Sequence, residues 1–234
     1  MKNIIDITKK YSPISFTEEQ EKQFYTVAEG LKRIEGNLNV TDLKTDEEIA
    51  LLHFVDSLSP LKTGLFKNKK VIDVGCGGGF PTFPLAICAP DCHFTGLDST
   101  AKKLRFVEET AREAGISNIS VLCARAEEAG KGGHREKYDI AVSRGVARLN
   151  VLCEWCLPLV KKGGYFVAMK GNRGKEELEE ARNAIKVLGG GEAELFEAPI
   201  PVFDRSHTVI VIKKISSTPA EYPRANGRIM KKPL

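Results

Sequence analysis

The sequence predicts an α/β fold, a mostly parallel seven-stranded sheet covered by helices and preceded by a helical appendage, and three observations predict it. The first sixty residues carry apolar side chains at three- and four-residue spacings. From Lys69 onward, short apolar runs alternate with helical stretches. The first of those runs leads straight into a turn with glycines at positions 75, 77 and 79.

In chain order, residues 17–39 place Phe24, Val27, Leu31, Ile34 and Leu38 on one face of a helix, which Thr17, Glu18 and Glu19 start. A second helix begins near Thr45, with Asp46, Glu47 and Glu48 in its first turn. Ile49, Leu52, Phe54, Val55 and Leu58 are its apolar positions, and it ends before Pro60. Residues 1–62 therefore read as the helical appendage. Strands follow at 71–74, 93–97, 119–123, 138–142 and 165–169, with helices near 83–89, 100–114 and 149–160 between them. Short apolar strands separated by helices call for a parallel sheet buried on both faces. A charged helix at 175–188 stops at Gly189-Gly190-Gly191, and strands at 193–198 and 208–212 complete the sheet, one of them antiparallel. The main domain is thus residues 63–214, and residues 215–234 form a basic tail packed on or near it.

Of 234 residues, 42% are apolar and 28% charged, the balance of an ordinary folded chain. No apolar run is long enough to cross a membrane and the N-terminus is too polar for a signal peptide, so a cytoplasmic protein is expected, with no membrane partner. The six cysteines lie mostly in apolar segments and read as reduced, buried thiols. Cys153 and Cys156 form a Cys-x-x-Cys, but no second pair follows at zinc spacing and the four histidines are scattered, so no metal is expected. The net charge is +4, yet between positions 213 and 234 six basic residues (Lys213, Lys214, Arg224, Arg228, Lys231, Lys232) face one acid, Glu221. Such a tail is either a solvated terminus or an arm that meets phosphates.

The glycine turn reads Asp73-Val74-Gly75-Cys76-Gly77-Gly78-Gly79-Phe80-Pro81. Glycine permits a tight turn and close approach of a ligand, and free amides at the next helix face the same point. A dinucleotide site wants Gly-x-Gly-x-x-Gly; here the third position is Phe80 or Thr82, depending on frame, so that pattern fails. Alternating glycines after an acidic residue resemble instead the first motif of class I S-adenosylmethionine-dependent methyltransferases, a Rossmann-like fold. Asp73, Gly75, Gly77, Gly79 and Phe80 become cofactor-site candidates on that basis. Asp98 follows the next strand, 23 residues after Gly75, where an acid accepts hydrogen bonds from ribose hydroxyls or caps a helix with Ser99 and Thr100.

Methyl transfer from a sulfonium requires chiefly that two reactants be positioned and water excluded. Enzymes acting on exocyclic amines commonly carry Asn/Asp-Pro-Pro-Tyr/Phe after the fourth strand, and cytosine C5 enzymes need a cysteine nucleophile. The corresponding stretch here, Asp139-Ile140-Ala141-Val142-Ser143-Arg144-Gly145, has neither. A ring nitrogen with an in-plane lone pair, such as guanine N7, needs no base, so its methylation is permitted and no general base is required.

Taken together, these residues resemble the bacterial 16S ribosomal RNA guanine-N7 methyltransferase family, also called glucose-inhibited division protein B. The resemblance runs from about Asn37 to Leu234. It rests on the loop from Asp73, Leu97-Asp98-Ser99 with Lys102-Lys103, Arg125-Ala126-Glu127-Glu128, Ser143-Arg144 with Ala147, Met169-Lys170-Gly171, and Tyr222-Pro223-Arg224 with the ending Lys231-Lys232-Pro233-Leu234. Upstream, His53-Phe54-Val55-Asp56-Ser57-Leu58 resembles the family's helical leader, although Leu52 stands where an arginine is usual; Gly78 and Thr82 stand where the loop often holds other small residues.

The resemblance implies S-adenosylmethionine as cofactor and N7 of guanine 527, in the 530 loop of 16S ribosomal RNA, as target. It implies that Gly75 and Phe80 line the cofactor, that Asp98 holds its ribose and that Ala126 and Glu127 meet its adenine. Arg144 is placed at the mouth of the site and counted among the cofactor-binding residues, and it and Lys170 are positioning candidates. Lys170, Arg224, Lys231 and Lys232 are the implied RNA contacts, with Phe80 and Tyr222 as candidate stacking partners for a splayed base. The expected partner is 16S ribosomal RNA or a small-subunit assembly particle, and the expected state a monomer. Another RNA or a small molecule as acceptor, and a non-catalytic RNA-binding protein that keeps a nucleotide loop, remain the alternatives at this point.

Overall fold

The computed structural model describes residues 2–34, 45–200, 202–203 and 205–234. Its N-terminal part consists of α1 (Lys2–Tyr11), α2 (Glu18–Ile34) and α3 (Asp46–Glu48), which runs on as a π-helical segment, Ile49–Val55, and a 3₁₀ turn, Ser59–Thr63. Leu38, the last apolar position of the predicted first helix, lies outside the described residues. Thr45 starts α3 as a capping box: its hydroxyl accepts from the Glu48 amide at 3.1 Å, and the Glu48 carboxylate accepts from the Thr45 amide at 3.0 Å. Such a cap is worth about 1 kcal/mol.

The chain then alternates strand and helix: β1 (Lys70–Val74), α4 (Thr82–Cys88), β2 (His93–Asp98), α5 (Ala101–Glu113), β3 (Ile119–Cys123), α6 (Ala126–Lys131), β4 (Tyr138–Arg144), α7 (Leu149–Cys156) and β5 (Val160–Lys170). Two short helices, α8 (Gly174–Glu180) and α9 (Arg182–Val187), a long hairpin of β6 (Gly190–Ile200) and β7 (Arg205–Lys214), and α10 (Asn226–Lys231) complete it. The single charged helix predicted at 175–188 is divided at Ala181, a fully buried residue that closes a tight turn there.

The seven strands lie in the order β3-β2-β1-β4-β5-β7-β6, and only β7 opposes the direction of its neighbours. This is a class I methyltransferase fold, as the strand pattern predicts. Strands β1, β2, β4 and β5 are apolar runs because helices cover both sheet faces. On one face, Phe24, Val27 and Leu31 of α2 share a core with Val71, Phe83, Phe94 and Ile140. On the other, Leu149, Leu152 and Cys156 of α7 join Ile72, Ala141, Phe166 and Ile210. Each of these large buried side chains contributes roughly 1.5–3 kcal/mol of transfer free energy.

Parallel strands bring their carboxyl ends to one edge. Val74, Asp98, Cys123, Arg144 and Lys170 end the five parallel strands there, and the order reverses between β1 and β4. Ligands bind at such a reversal in open α/β sheets.

Candidate functional site

The turn after β1 is held by backbone bonds, since the amides of Gly75 and Cys76 both donate to the Leu97 carbonyl, at 2.8 and 3.1 Å. Gly75 has φ +76°, and a Cβ on it would lie 2.6 Å from a Val146 methyl, so any side chain would both strain the turn and drive Val146 away. Gly79 has φ +88°, and a Cβ there would run into the Phe83 ring. These two glycines thus serve packing against the β4–α7 loop and α4.

Asp98 links the two halves of the site. One carboxylate oxygen accepts from the Gly77 amide at 3.1 Å and the other from the Thr100 amide at 2.8 Å, where α5 begins. Asp98 thus starts α5 and also lines the pocket.

A cleft of about 160 Å³ opens at this edge. Gly75, Leu97 and Asp98 form one side and Ala124 to Glu127, at the start of α6, another. Val146 from the β4–α7 loop, Trp155 from α7 and Asn226 from the C-terminal segment close it. Gly75, Asp98, Ala126 and Glu127 are therefore brought together, although their positions in the chain span 52 residues. Trp155 and Asn226 were not visible as site residues in the sequence.

Asp73 lies beneath the turn. It is fully buried, one oxygen accepts from the Thr82 hydroxyl at 2.6 Å, and the other has no hydrogen-bond partner among the described residues. Burial pushes its carboxyl up to about 7, against the opposing pull of the Thr82 hydrogen bond and Arg144. Thr82, the unusual loop residue, thus ties α4 to the acid next to the end of β1. Asp73, Gly77, Gly79 and Phe80 shape the turn from behind, while Gly75 reaches the pocket wall.

Arg144 is the hub between the sheet and the N-terminal part. Its guanidinium donates to the Leu52 carbonyl at 2.8 Å and to Asp56 at 3.0 Å, and a second arm meets His53 Nδ1 at 3.1 Å. The other Asp56 oxygen lies 2.9 Å from Nδ1 of His207 on β7. Burial, reinforced by Arg144, pushes His53 down to about 3, so the ring is neutral and its Nδ1 accepts from the guanidinium. Burial opposes ionisation of Asp56, but His207 and Arg144 outweigh it and hold that carboxyl below its ordinary value. Phe80 stacks on His53 with centroids 4.5 Å apart and has Arg144 5.9 Å from its ring. At 6% exposure, Phe80 is a core residue with no open face for a base. The leader motif carried His53 and Asp56, but His207 had no signal in sequence because only folding brings β7 to it.

The basic residues divide into two groups. Lys170 donates to the Ala147 carbonyl at 2.8 Å and pairs with Glu177 at 2.7 Å, and Glu177 also accepts from the Leu149 amide. Lys170 therefore braces the β4–α7 loop. Arg224 binds the fully buried Glu154 through Nε and Nη2, the latter at 2.6 Å, and strapping the tail to α7 occupies its guanidinium. Lys214 is also internal, bonded to the Leu157 carbonyl and Thr218, and burial lowers its ammonium to about 8. Two of the six tail cations thus hold the fold together. Arg228, Lys231 and Lys232 are exposed. Tyr222, half-buried, packs against the α7 side of the core with the Arg224 guanidinium 5.9 Å from its ring. No helix among the described residues is long and apolar enough to cross a membrane.

The arrangement fits an adenosyl ligand. Asp98 offers a carboxylate in the cleft beside Gly75, and two further lining residues, Trp155 and Asn226, each carry a buried polar atom, Nε1 and Oδ1, with no partner among the described residues.

Comparison with known proteins places this geometry. The family described as rRNA small subunit methyltransferase G matches residues 20–199. A protein of Lactobacillus johnsonii named ribosomal RNA small subunit methyltransferase G is 43% identical over 221 residues, 93% of this chain and 92% of that one. Its namesake in Clostridium novyi is 41% identical over 99% of this chain and 96% of its own. Among solved structures, an S-adenosylmethionine-dependent O-methyltransferase of Thermotoga maritima has the same fold at TM-score 0.55 and 13% identity, over 83% of this chain and 73% of that one.

Proposed function

Because this chain belongs to the rRNA small subunit methyltransferase G family, we propose that it transfers a methyl group from S-adenosylmethionine to N7 of guanine 527 in the 530 loop of 16S ribosomal RNA. Cofactor-dependent methylation of small-subunit ribosomal RNA is the activity of the family. The guanine, its atom and its position come from the sequence resemblance.

The observation that carries the site assignment is the convergence of Gly75, Asp98, Ala126 and Glu127 on one cleft at the reversal point of the sheet. When bound there, S-adenosylmethionine supplies an electrophilic methyl group on a sulfonium. In this reading, Asp98 accepts from the ribose hydroxyls, and the Gly75 turn lets backbone rather than side chain meet the ligand. Ala126 and Glu127 bound its adenine.

At the mouth, the residues after β4 are Gly145 and the half-exposed Val146, which have no group able to take a proton. That favours an acceptor with a lone pair already in plane. Guanine N7 is such an acceptor, and the chain's task reduces to orientation and exclusion of water. Arg144 is held too firmly by Leu52, Asp56 and His53 to act as a base, so its role is to fix the turn after β4 against the N-terminal helices. The exposed cations Arg228, Lys231 and Lys232 supply phosphate contacts.

The test supplies labelled S-adenosylmethionine with small subunits that lack this methyl group and with fully methylated ones. Uptake near one methyl per particle in the first and none in the second is expected. Equal uptake by both would overturn the reading.

A further inference from the structure

Two residues that line the cleft, Trp155 and Asn226, each carry a buried polar atom, and the two atoms have complementary chemistry. Asn226 Oδ1 accepts and Trp155 Nε1 donates, and neither has a hydrogen-bond partner among the described residues. Burying such groups unpaired is costly, so a ligand in the cleft that offered a partner to either would relieve that cost.

We propose that Asn226 reads the amino-purine edge of the cofactor, and that cofactor binding thereby fixes the C-terminal segment that presents Lys231 and Lys232. The inference rests on the pocket taking S-adenosylmethionine, as proposed above. A carboxamide presents an acceptor and a donor side by side. Adenine presents the matching pair, its exocyclic amine next to a ring nitrogen, and this match is the one by which Asn and Gln select adenine in nucleic acids. A hypoxanthine ring, with a carbonyl in place of the amine, breaks the pair.

The placement of Asn226 makes the contact mechanically significant. The segment that carries it is anchored upstream by Arg224 on Glu154, and by Arg135, which donates to the carbonyls of Tyr222 and Thr218, each at 2.7 Å. Downstream of these anchors, within α10, Ile229 is fully buried whereas Arg228, Met230 and Lys231 are exposed. A bond from Asn226 into the cleft therefore adds a polar tether between the cofactor and the basic end of the chain. Lys231 lies five residues along from it. The cofactor becomes a structural element of the surface that faces phosphate, so occupancy of one site sets the order of the other.

The test uses the full chain and two ligands, S-adenosylhomocysteine and S-inosylhomocysteine, with calorimetry and amide hydrogen exchange as readouts. For the wild-type chain, the adenosyl compound binds more tightly and slows exchange in residues 225–234. Asn226→Ala weakens the adenosyl compound about five- to tenfold, in line with loss of one or two neutral hydrogen bonds, and leaves the inosyl compound within twofold. It also removes the added exchange protection of the tail. Asn226→Asp, nearly isosteric, keeps the acceptor, loses the donor and falls between the two.

If Asn226→Ala and Asn226→Asp both keep wild-type affinity and discrimination, the inference fails while the cofactor reading stands. If the wild-type chain binds neither ligand, the cofactor reading itself fails, and this inference with it.

Discussion

The guanidinium of Arg144, at the end of β4, donates to Asp56 at 3.0 Å across 88 residues of chain. Both are largely withdrawn from water, with side-chain exposures of 15% and 5%. The pair joins the strand edge that forms the site to the N-terminal helices. Asp56→Ala leaves the Arg144 charge buried without its carboxylate and should cost about 3–5 kcal/mol, measured by urea unfolding. A loss below about 1 kcal/mol would mean the guanidinium escapes to solvent, as at a surface pair.

Asp98→Ala should weaken S-adenosylmethionine binding roughly 10- to 100-fold, the range for losing hydrogen bonds to a charged acceptor. Since Asp98 also holds the Gly77 and Thr100 amides, part of that loss comes from a looser turn. Asp98→Asn keeps one of the two acceptors, for Gly77 or Thr100, and loses the charge, so calorimetric titration should show a loss no larger than that of Asp98→Ala. Unchanged affinity in both variants would remove Asp98 from the site.

Asp73 makes stability depend on pH in a definite sense. Its carboxyl is raised to about 7 by burial, from an ordinary 3.8, so between these values the folded chain holds a proton that the unfolded chain has released. Its contribution is complete below about pH 4 and is lost as pH rises through about 7, at up to about 1.4 kcal/mol per pH unit. Asp73→Asn keeps an acceptor for Thr82 and abolishes this dependence. The difference in unfolding free energy between the two proteins should therefore move in favour of the variant from pH 5 to pH 8. A constant difference across that range would show that Asp73 is ionised throughout.

The tail cations should separate by role. Lys231→Ala with Lys232→Ala lowers RNA affinity and reduces the slope of log affinity against log salt by about two, without changing stability. Arg224→Ala strands the buried Glu154 and should cost about 3–5 kcal/mol in thermal or urea unfolding. An unaltered salt slope in the lysine pair would dismiss the tail as an RNA contact.

Much of this fold was legible because burial leaves a mark on composition. The apolar runs of β1, β2, β4 and β5 mark strands covered on both faces, and the apolar face of α2 marks a helix. What failed to show had a weak local signal. Helix α1 buries Ile4, Ile5 and Thr8 in ten residues that are mostly polar, and α6, Ala126 to Lys131, has only Ala129 and Gly130 buried. Strand β5 begins at Val160, earlier than predicted, because Lys161 to Gly164 lie in an irregular stretch whose register against β4 shifts.

Within the site, Gly75 and Asp98 were readable because each follows its strand directly. Trp155 and Asn226 reach the pocket only through packing of α7 and the tail against the sheet edge, which no local pattern encodes. The same holds for cations: a count of charges cannot distinguish Lys231, which faces water, from Arg224, whose acid lies 70 residues away.

The central claim concerns one atom of one nucleotide, and mapping the methyl group tests it most directly. Small subunits lacking this modification are incubated with the enzyme and S-adenosylmethionine, and the extracted 16S RNA is reduced with borohydride and cleaved with aniline, which breaks the chain at N7-methylguanine. A single new cleavage at guanine 527, absent without cofactor, is the predicted result. Methyl incorporation with no aniline cleavage, or label in a pyrimidine or on an exocyclic amine, would contradict it.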